Sequence, residues 1–174
     1  MVLLGINCGF GNHDCGSLRL QDLDLDGGWH NHGRPKTGVP RRGKLWPETV
    51  DALRVAIATR YRPKTEAGDR VFVTRRGLPW VRWTGTDPTK AGWRDQVGQQ
   101  AKTLLRKLKI NGGASFYSLR RMTETIGGGC KDQVAVDAVM GHSRGDMASV
   151  YRLDIEDARL EAVAEHIHKW LWPS

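Results

Sequence analysis

Cysteine is scarce in this sequence, and so are phenylalanine, tyrosine and long apolar runs. Cys8, Cys15 and Cys130 lack the C-x-x-C spacing of zinc and redox sites, which predicts free, buried thiols in a reducing compartment. No apolar run approaches the roughly 20 residues that a membrane span needs. The apolar start of the chain is too short and uncharged for a signal peptide. We therefore predict a cytoplasmic protein with no membrane contact.

Acidic residues are also fewer than basic residues. The 174 residues include 27 lysines and arginines against 19 aspartates and glutamates, a net charge of +8. Such an excess favours a polyanionic partner, because each neutralised phosphate releases condensed counterions. With 39% apolar and 26% charged residues, the composition is that of one globular domain with a hydrophobic core. Charge alone does not decide between nucleic-acid binding and a solubilising surface.

Apolar periodicity and turn signals predict an α+β chain that is mainly α, with small antiparallel hairpins. Helices are expected over residues 2–7, 14–23, 47–60, 90–108, 115–126, 132–140 and 156–171. Hairpins are expected from strands 29–32 and 40–46, and from strands 71–74 and 80–83. The buried stripe of the helix over 90–108 is expected at Val97, Ala101, Leu104, Leu105 and Leu108. The buried stripe of the last helix is expected at Leu160, Val163, Ala164, Ile167 and Leu171.

Several motifs bring together residue types that suit DNA strand cleavage. His142 is followed nine residues later by Tyr151, and Arg120 lies three residues after Tyr117. Lys36 lies at the tip of the first predicted hairpin. A phenol that attacks a phosphodiester needs fixed cationic donors around the phosphate, and a guanidinium can bond two phosphate oxygens at once. A lysine can protonate the leaving 5′-oxygen. Each residue alone has an ordinary structural explanation, but their joint order favours this chemistry.

These motifs resemble the catalytic domain of the tyrosine recombinases, the phage integrase family, and the order of predicted elements is similar over nearly the whole chain. The resemblance implies one helical catalytic domain over residues 1–174, without the N-terminal core-binding domain that the family also carries. It implies site-specific recombination or integration of double-stranded DNA. A 3′-phosphotyrosyl intermediate conserves the energy of the broken bond, so no metal or other cofactor is expected.

The resemblance also implies a role for each motif residue. Tyr151 takes the place of the nucleophile, and His142 that of a phosphate donor or proton shuttle. Arg120 resembles the second catalytic arginine, and Lys36 the lysine that protonates the leaving group. Tyr117 stands where the family usually has histidine; its phenol still donates a hydrogen bond but is not easily cationic. The cationic residues expected to contact DNA are Arg34, Arg41, Arg42, Arg121 and Arg144.

The sequence departs from the family pattern at one position. The family's first catalytic arginine lies three residues before an acidic residue, whereas this chain has Gly11 three residues before Asp14. Loss of one preorganised donor lowers a rate by roughly 10²–10³-fold. Two interpretations follow: an active recombinase with a substitute group, or a catalytically weakened or inactive DNA-binding relative. A topoisomerase that uses the same tyrosine linkage is a further possibility.

Two kinds of substitute for the missing arginine lie nearby in the sequence. Asn12 or His13 can donate a hydrogen bond without a permanent charge. Arg34, Arg41 or Arg42 in the hairpin can supply a guanidinium. The sequence leaves the choice among them open.

Two other patterns in the sequence suggest a binding function. The helix over 156–171 carries an apolar stripe, followed by Trp172, which suits either docking onto a second copy of the chain or packing onto its own domain. His30 and His32 would share one face of a strand, but no third ligand has a diagnostic spacing, although His13 is available. We therefore predict a possible homo-oligomer through the last helix and no metal site.

Overall fold

Most helices lie where the hydrophobic pattern predicts them, and five short strands form two small sheets. The structure is a computed structural model, which describes residues 1–84, 92–142 and 155–173. The helices are α1 Val2–Asn7, α2 Asn12–Ser17, α3 Pro47–Ala58, α4 Gln96–Lys107, α5 Phe116–Gly127, α6 Gln133–Met140 and α7 Asp157–Leu171. The strands are β1 Leu23–Asp24, β2 Trp29–His30, β3 Gly43–Lys44, β4 Val81–Thr84 and β5 Gly92–Asp95. None of the helices described is both long and apolar enough to cross a bilayer.

The first predicted hairpin is present but its strands are short. Strand β2 lies between β1 and β3 in an antiparallel sheet, with His30 opposite Gly43. A Cβ atom at Gly43 would lie 2.7 Å from Nε2 of His30, so only glycine fits against this buried ring. The chain between β2 and β3 forms the long loop that carries the predicted hairpin lysine. The predicted helix over 14–23 is also shorter than expected, since α2 ends at Ser17.

The prediction of the second hairpin is correct only for its turn, where the Thr74 N–H donates to the Leu78 carbonyl at 2.8 Å. Strand β4 pairs with β5, in a register that places Trp83 opposite Trp93, and not with residues 71–74. The 71–74 segment contributes only an isolated bridge between Val73 and Pro79. Residues 92–95, which the predicted helix over 90–108 included, form strand β5 instead. Helix α4 starts after Asp95, whose carboxylate accepts a hydrogen bond from the Gly98 N–H at 2.8 Å.

The predicted buried stripe of α4 is only half correct. Val97 is buried, and Ala101 packs against the core from a partly buried position. Leu104 and Leu108, however, are 47% and 59% exposed. The spacing of these residues is helical, but the described core covers only the first turns of α4. The periodicity identified the inner face of α4, but it did not show how much of that face the described core buries.

Two hydrophobic clusters form the core. One joins the loop before α3 with α6 and α7; its buried members include Trp46, Val136, Val139, Met140, Leu160, Val163 and Ile167. The other lies under α1, α2 and α3; its members include Leu4, Cys8, Phe10, Cys15, Leu18, Leu53 and Val71. Leu119 on α5 packs against both clusters. Helix α5 therefore runs between them and is fixed from two sides.

Helices α1 and α5 approach closely, which fixes the loop that follows α1. A Cβ atom at Gly5 would lie 2.7 Å from Cδ1 of Leu119, so the small residue permits the contact. The Thr123 hydroxyl lies 3.0 Å from the Gly5 carbonyl and 2.9 Å from the Ile6 carbonyl. This packing places residues 8–11 beside the first half of α5.

The apolar stripe of α7 packs onto its own domain. Leu160, Val163, Ala164 and Ile167 are buried within the first cluster, which confirms the predicted inner face. The Trp46 indole N–H also donates to the Ala164 carbonyl at 2.8 Å. Association of two copies through this helix stays a prediction, and its apolar stripe is already occupied within the chain.

The three cysteines are free, as predicted, but Cys130 is only partly buried. Cys8 and Cys15 are fully buried, and burial raises the pKa of both thiols, that of Cys15 to about 12. These thiols are protonated at neutral pH and act as small apolar core residues.

The start of α6 is tied to α7 by a carboxylate with two functions. Asp132 accepts a hydrogen bond from the Ala135 N–H at 3.1 Å and caps α6. It also accepts from Nε and Nη2 of Arg159 at 2.7 and 2.8 Å. The Arg159 hydrogen bond is the main reason why the pKa of Asp132 falls from 3.8 to about 2.

The Asp132→Asn variant separates the ion pair from the cap, because asparagine also caps helices well. Both partners are partly exposed, so we expect a loss of about 0.5–1 kcal/mol in unfolding free energy at pH 7. A depressed carboxyl pKa stabilises the fold above pH 3.8, and this contribution is lost as the pH falls towards 2. Urea unfolding from pH 7 to pH 2 should therefore show the difference shrinking below pH 4. The same deficit at every pH would contradict this account, and Asp26→Asn in an exposed pair is the control.

Candidate functional site

A cleft of about 220 Å³ opens between the loop after α1, the first hairpin and the start of α5. Four of the predicted site residues line it: Arg34, Lys36, Tyr117 and Arg120. The segment 11–14 forms the facing wall. The structure thus brings together residues that lie more than eighty positions apart in the sequence.

Arg120 reaches the cleft from the buried face of α5. Phe116, Thr123 and Gly127 share this face at helical spacing and are buried. An arginine among them is unusual, and Arg120 is only 2% exposed. The spacing places its guanidinium beneath the cleft instead of in open solvent.

Backbone carbonyls hold the Arg120 guanidinium. Its Nη1 donates to the Gly9 carbonyl and its Nη2 to the Met140 carbonyl, both at 2.6 Å. Burial and then the nearby positive charge of Arg34 lower the pKa of Arg120, and Asp14 opposes that shift. An arginine stays protonated near neutral pH despite such a shift. The site therefore contains a fixed, desolvated cation joined to the loop after α1 and the end of α6.

A buried ion pair lies behind the cleft. Arg41 Nη2 donates to Oδ1 of Asp14 at 2.8 Å, and Arg41 Nε donates to the His32 carbonyl at 3.0 Å. The guanidinium lies 4.3 Å from the centre of the Phe10 ring. The other oxygen of Asp14 accepts from the Gly11 N–H at 2.6 Å. Arg41 was predicted to contact DNA, but its side chain is buried and its charge is neutralised by Asp14.

No local sequence pattern predicts this ion pair. Asp14 and Arg41 are 27 residues apart and share no local motif. The predicted function of Arg41 rested only on its place in a basic stretch. Such stretches do not distinguish a buried structural arginine from a surface phosphate contact.

The hairpin tip is a compact turn that presents Lys36. The Arg34 N–H donates to the Val39 carbonyl at 2.9 Å, and the Arg34 carbonyl accepts from the N–H groups of Thr37 and Gly38. Lys36 is exposed at the edge of the cleft, in a place suited to delivering a proton to a bound group.

The other two described arginines of the predicted DNA surface differ in their surroundings. Arg42 donates from Nε and Nη2 to Asp157 at 2.8 Å, and its guanidinium lies over the Trp29 ring. Arg121 is exposed beside the Tyr117 ring. A DNA contact by Arg42 would require its interaction with Asp157 to be shared or broken.

His142 lies next to the cleft but does not line it. It follows Gly141, which ends α6 in the left-handed conformation at φ 62°. Its Nδ1 is 3.7 Å from carboxylate oxygens of Glu124 and Asp137.

Two predicted site residues lie outside the described part of the chain. These are Tyr151, the predicted nucleophile, and Arg144, a predicted DNA contact. Their roles remain predictions.

The uncharged substitutes proposed for the missing arginine have other partners. Asn12 donates from its side-chain nitrogen to Asp95 at 2.5 Å. The His13 ring packs edge-on against Trp93, with the ring centres 4.8 Å apart. Both residues line the cleft, but neither brings a permanent positive charge.

The His30 and His32 pair is part of the core. His30 is fully buried, and burial lowers its pKa well below 6.5. His32 lies 2.7 Å from a carboxylate oxygen of Asp22 and 3.2 Å from the Ser17 hydroxyl. Within residues 1–84, 92–142 and 155–173, no three or more histidine, cysteine or acidic residues are grouped to hold a metal ion.

Several solved structures are similar in fold to this chain. No protein-family model and no curated protein matches the sequence. A Tn1549 transposon integrase variant, solved with a circular intermediate DNA, matches with a TM-score of 0.63 and 17% identity, over 92% of this chain and 56% of that one. The XerA recombinase matches with a TM-score of 0.60 and 18% identity, over 99% of this chain and 57% of that one. The chain has the fold of a tyrosine-recombinase catalytic domain.

The recombinase fold also appears in a phage protein. The integrase from mycobacterium phage Brujita matches with a TM-score of 0.55 and 16% identity, over 97% of this chain and 49% of that one. The chain thus spans a little more than half of the transposon integrase and XerA, and about half of the phage integrase. The recombinase fold agrees with the predicted α+β, mainly α, architecture.

Proposed function

We propose that this chain cuts and rejoins double-stranded DNA in site-specific recombination or integration, through a 3′-phosphotyrosyl intermediate on Tyr151. The observation that carries the proposal is the buried guanidinium of Arg120, fixed beneath a cleft that also contains Arg34 and Lys36. Cations held in place before the reaction suit the charge that develops on a phosphoryl group. The recombinase fold supports the same assignment.

The proposed reaction exchanges one phosphoester bond for another. The Tyr151 phenol oxygen forms a bond to phosphorus and gives its proton to His142. The bond from phosphorus to the 5′-oxygen breaks, and this oxygen takes a proton from Lys36. Arg120 holds the phosphate oxygens that gather charge, and the exposed Tyr117 phenol donates a further hydrogen bond. Religation by the reverse steps needs no cofactor.

A covalent trap tests this proposal. The chain is incubated with a pool of duplexes that carry a randomised centre and a nick, so that the short fragment released by cleavage diffuses away and religation fails. After denaturation, a protein–DNA complex should persist, and peptide mapping should place the DNA on Tyr151. Sequencing the bound DNA then reports any target preference. No complex with this pool or with supercoiled plasmid would refute the proposed activity.

A second candidate is a non-catalytic DNA-binding relative, and Gly11 is the observation that favours it. This candidate predicts DNA binding that weakens steeply with salt, as phosphate contacts require, but no covalent complex. It also predicts that Gly11→Arg creates or strongly raises cleavage. The trap with wild-type protein separates the two candidates. Relaxation of plasmid without site preference would instead indicate a topoisomerase.

The proposed DNA partner fits the charge of the chain. The net charge of +8 and the cations in and around the cleft complement a phosphate backbone. Arg42 and Arg121 are the described candidates for contacts outside the reacting phosphate, and Arg144 is a further one from the sequence. Assembly into homo-oligomers on DNA remains part of the proposal, with the exposed Trp170 and Trp172 as the surface nearest the end of α7.

A further inference from the structure

We propose that Arg34 supplies the second guanidinium that binds the reacting phosphate in this chain, opposite Arg120, and that the Asp14–Arg41 pair positions the cleft wall instead of binding DNA. The inference rests on the proposed function and deepens it. Because Gly11 supplies no positive charge, another residue must provide the second cation that contacts the phosphate.

Position 11 places no side chain at the cleft wall. A Cβ atom at Gly11 would lie 3.2 Å from Oδ2 of Asp14 and 3.6 Å from the Tyr117 ring, in tight but tolerable contact. Its backbone, at φ −86° and ψ −178°, is extended and accepts any residue. Glycine is therefore not required by the backbone here. Its absent side chain leaves room for a group that enters from the other wall.

Arg34 is placed to use that room. Its backbone forms the base of the hairpin turn, and its Cβ and Cδ lie 3.2 and 3.5 Å from the position of a Cβ at Gly141. Its Nη1 lies 3.5 Å from the Gly141 carbonyl, at the outer limit of a hydrogen bond. Among the described residues, no carboxylate oxygen lies within 4.0 Å of this guanidinium. The side chain is held by packing, and its donors remain available.

The other arginines of the hairpin are already engaged. Arg41 is buried and bonded to Asp14 and to the His32 carbonyl. Arg42 forms two hydrogen bonds to Asp157. Arg34 is the hairpin arginine that lines the same cleft as Arg120.

The positive charges that line the cleft favour binding of an anion. Arg34 and Arg120 face the same space with Lys36 at its edge. The carboxylate there, Asp14, is already paired with Arg41. Two guanidiniums that approach one another repel, and the positive charge of Arg34 contributes to the lowered pKa of Arg120. A phosphate between them removes this repulsion and can accept from both.

Four proteins test the inference: wild type, Arg34→Ala, Gly11→Arg, and the double variant. In single-turnover trapping, Arg34→Ala should slow formation of the covalent complex by roughly 10²–10³-fold. Adding Gly11→Arg to Arg34→Ala should restore at least about tenfold, because the new guanidinium enters from the open wall. Gly11→Arg in wild type should change the rate far less. Arg54→Ala, which removes the same charge from a distant exposed pair, is the matched control and should keep the wild-type rate.

A second measurement does not depend on activity. Titration of the same proteins with orthovanadate, followed by the guanidinium NMR signals, should show an affinity about tenfold weaker in Arg34→Ala and recovered in the double variant. Wild-type vanadate affinity in Arg34→Ala would overturn the inference, whether or not DNA is cleaved. No covalent complex from wild type, together with Arg34-dependent vanadate binding, would refute the proposed function and leave the assignment of Arg34 standing. A strong gain from Gly11→Arg in wild type would show that Arg34 does not fill the role.

Discussion

Replacing Tyr151 with phenylalanine is expected to abolish the covalent protein–DNA complex. Phenylalanine keeps the ring but removes the oxygen that would bond to phosphorus, so no other part of the site can compensate. Loss of a nucleophile lowers the rate on the order of 10⁶-fold, below the detection limit of a trapping gel. DNA affinity should stay within about twofold, because the change removes no charge and binding depends mainly on phosphate contacts.

The chain offers matched controls for this experiment, since it has only three tyrosines. Tyr61 is exposed and lies outside the cleft, so Tyr61→Phe should behave as wild type. Tyr117 lines the cleft, and Tyr117→Phe should lose about tenfold at most, the effect of one hydrogen bond. A complex that persists in Tyr151→Phe and maps to Tyr117 would identify Tyr117, on α5, as the nucleophile. A complex that persists on neither tyrosine would contradict the proposed chemistry.

Local signals predicted most of the helices. Helix α3 begins at Pro47 as proline and an early acid suggest, and α6 ends at Gly141 in the left-handed turn that glycine favours. The predicted α7 stripe repeats at helical spacing, and Leu160, Val163, Ala164 and Ile167 are buried. These signals act within a few residues of one another. The ends and the buried faces of these helices can therefore be predicted without knowledge of the rest of the fold.

The failures concern contacts between distant parts of the chain. Residues 71–74 and β4 are both plausible strands, but the partner of β4 is β5, and nothing local specifies that pairing. Leu104 and Leu108 sit on a predicted buried face that the described core does not reach. The same limit applies to the site. Local sequence proposed Arg120 and Lys36 as members of one candidate group, and both line the cleft. It did not show that Asp14 engages Arg41 or that Arg34 stays available.

Arg120 unites stability and proposed chemistry, so its replacement should affect both. Arg120→Ala leaves the Gly9 and Met140 carbonyls without their charged donors, and we expect a loss of about 2–4 kcal/mol in unfolding free energy. It also removes the central cation from the cleft, which should lower single-turnover cleavage by at least about 10²–10³-fold. Alanine alone cannot separate these effects, because a partly unfolded protein is also inactive.

Arg120→Lys makes the separation. Lysine keeps the charge and can reach one carbonyl, so thermal unfolding should show a smaller loss of stability than in Arg120→Ala. It cannot reproduce the planar fork that bonds backbone and phosphate together, so cleavage by the folded variant should still fall by about 10²-fold. Stability and rate are measured on the same preparation, with Arg54→Lys as the charge-conserving control. A group that binds the reacting phosphate through its planar geometry cannot be replaced by a point charge without loss of rate. Wild-type cleavage by a folded Arg120→Lys variant would therefore show that the buried guanidinium stabilises the fold and has no part in cleavage.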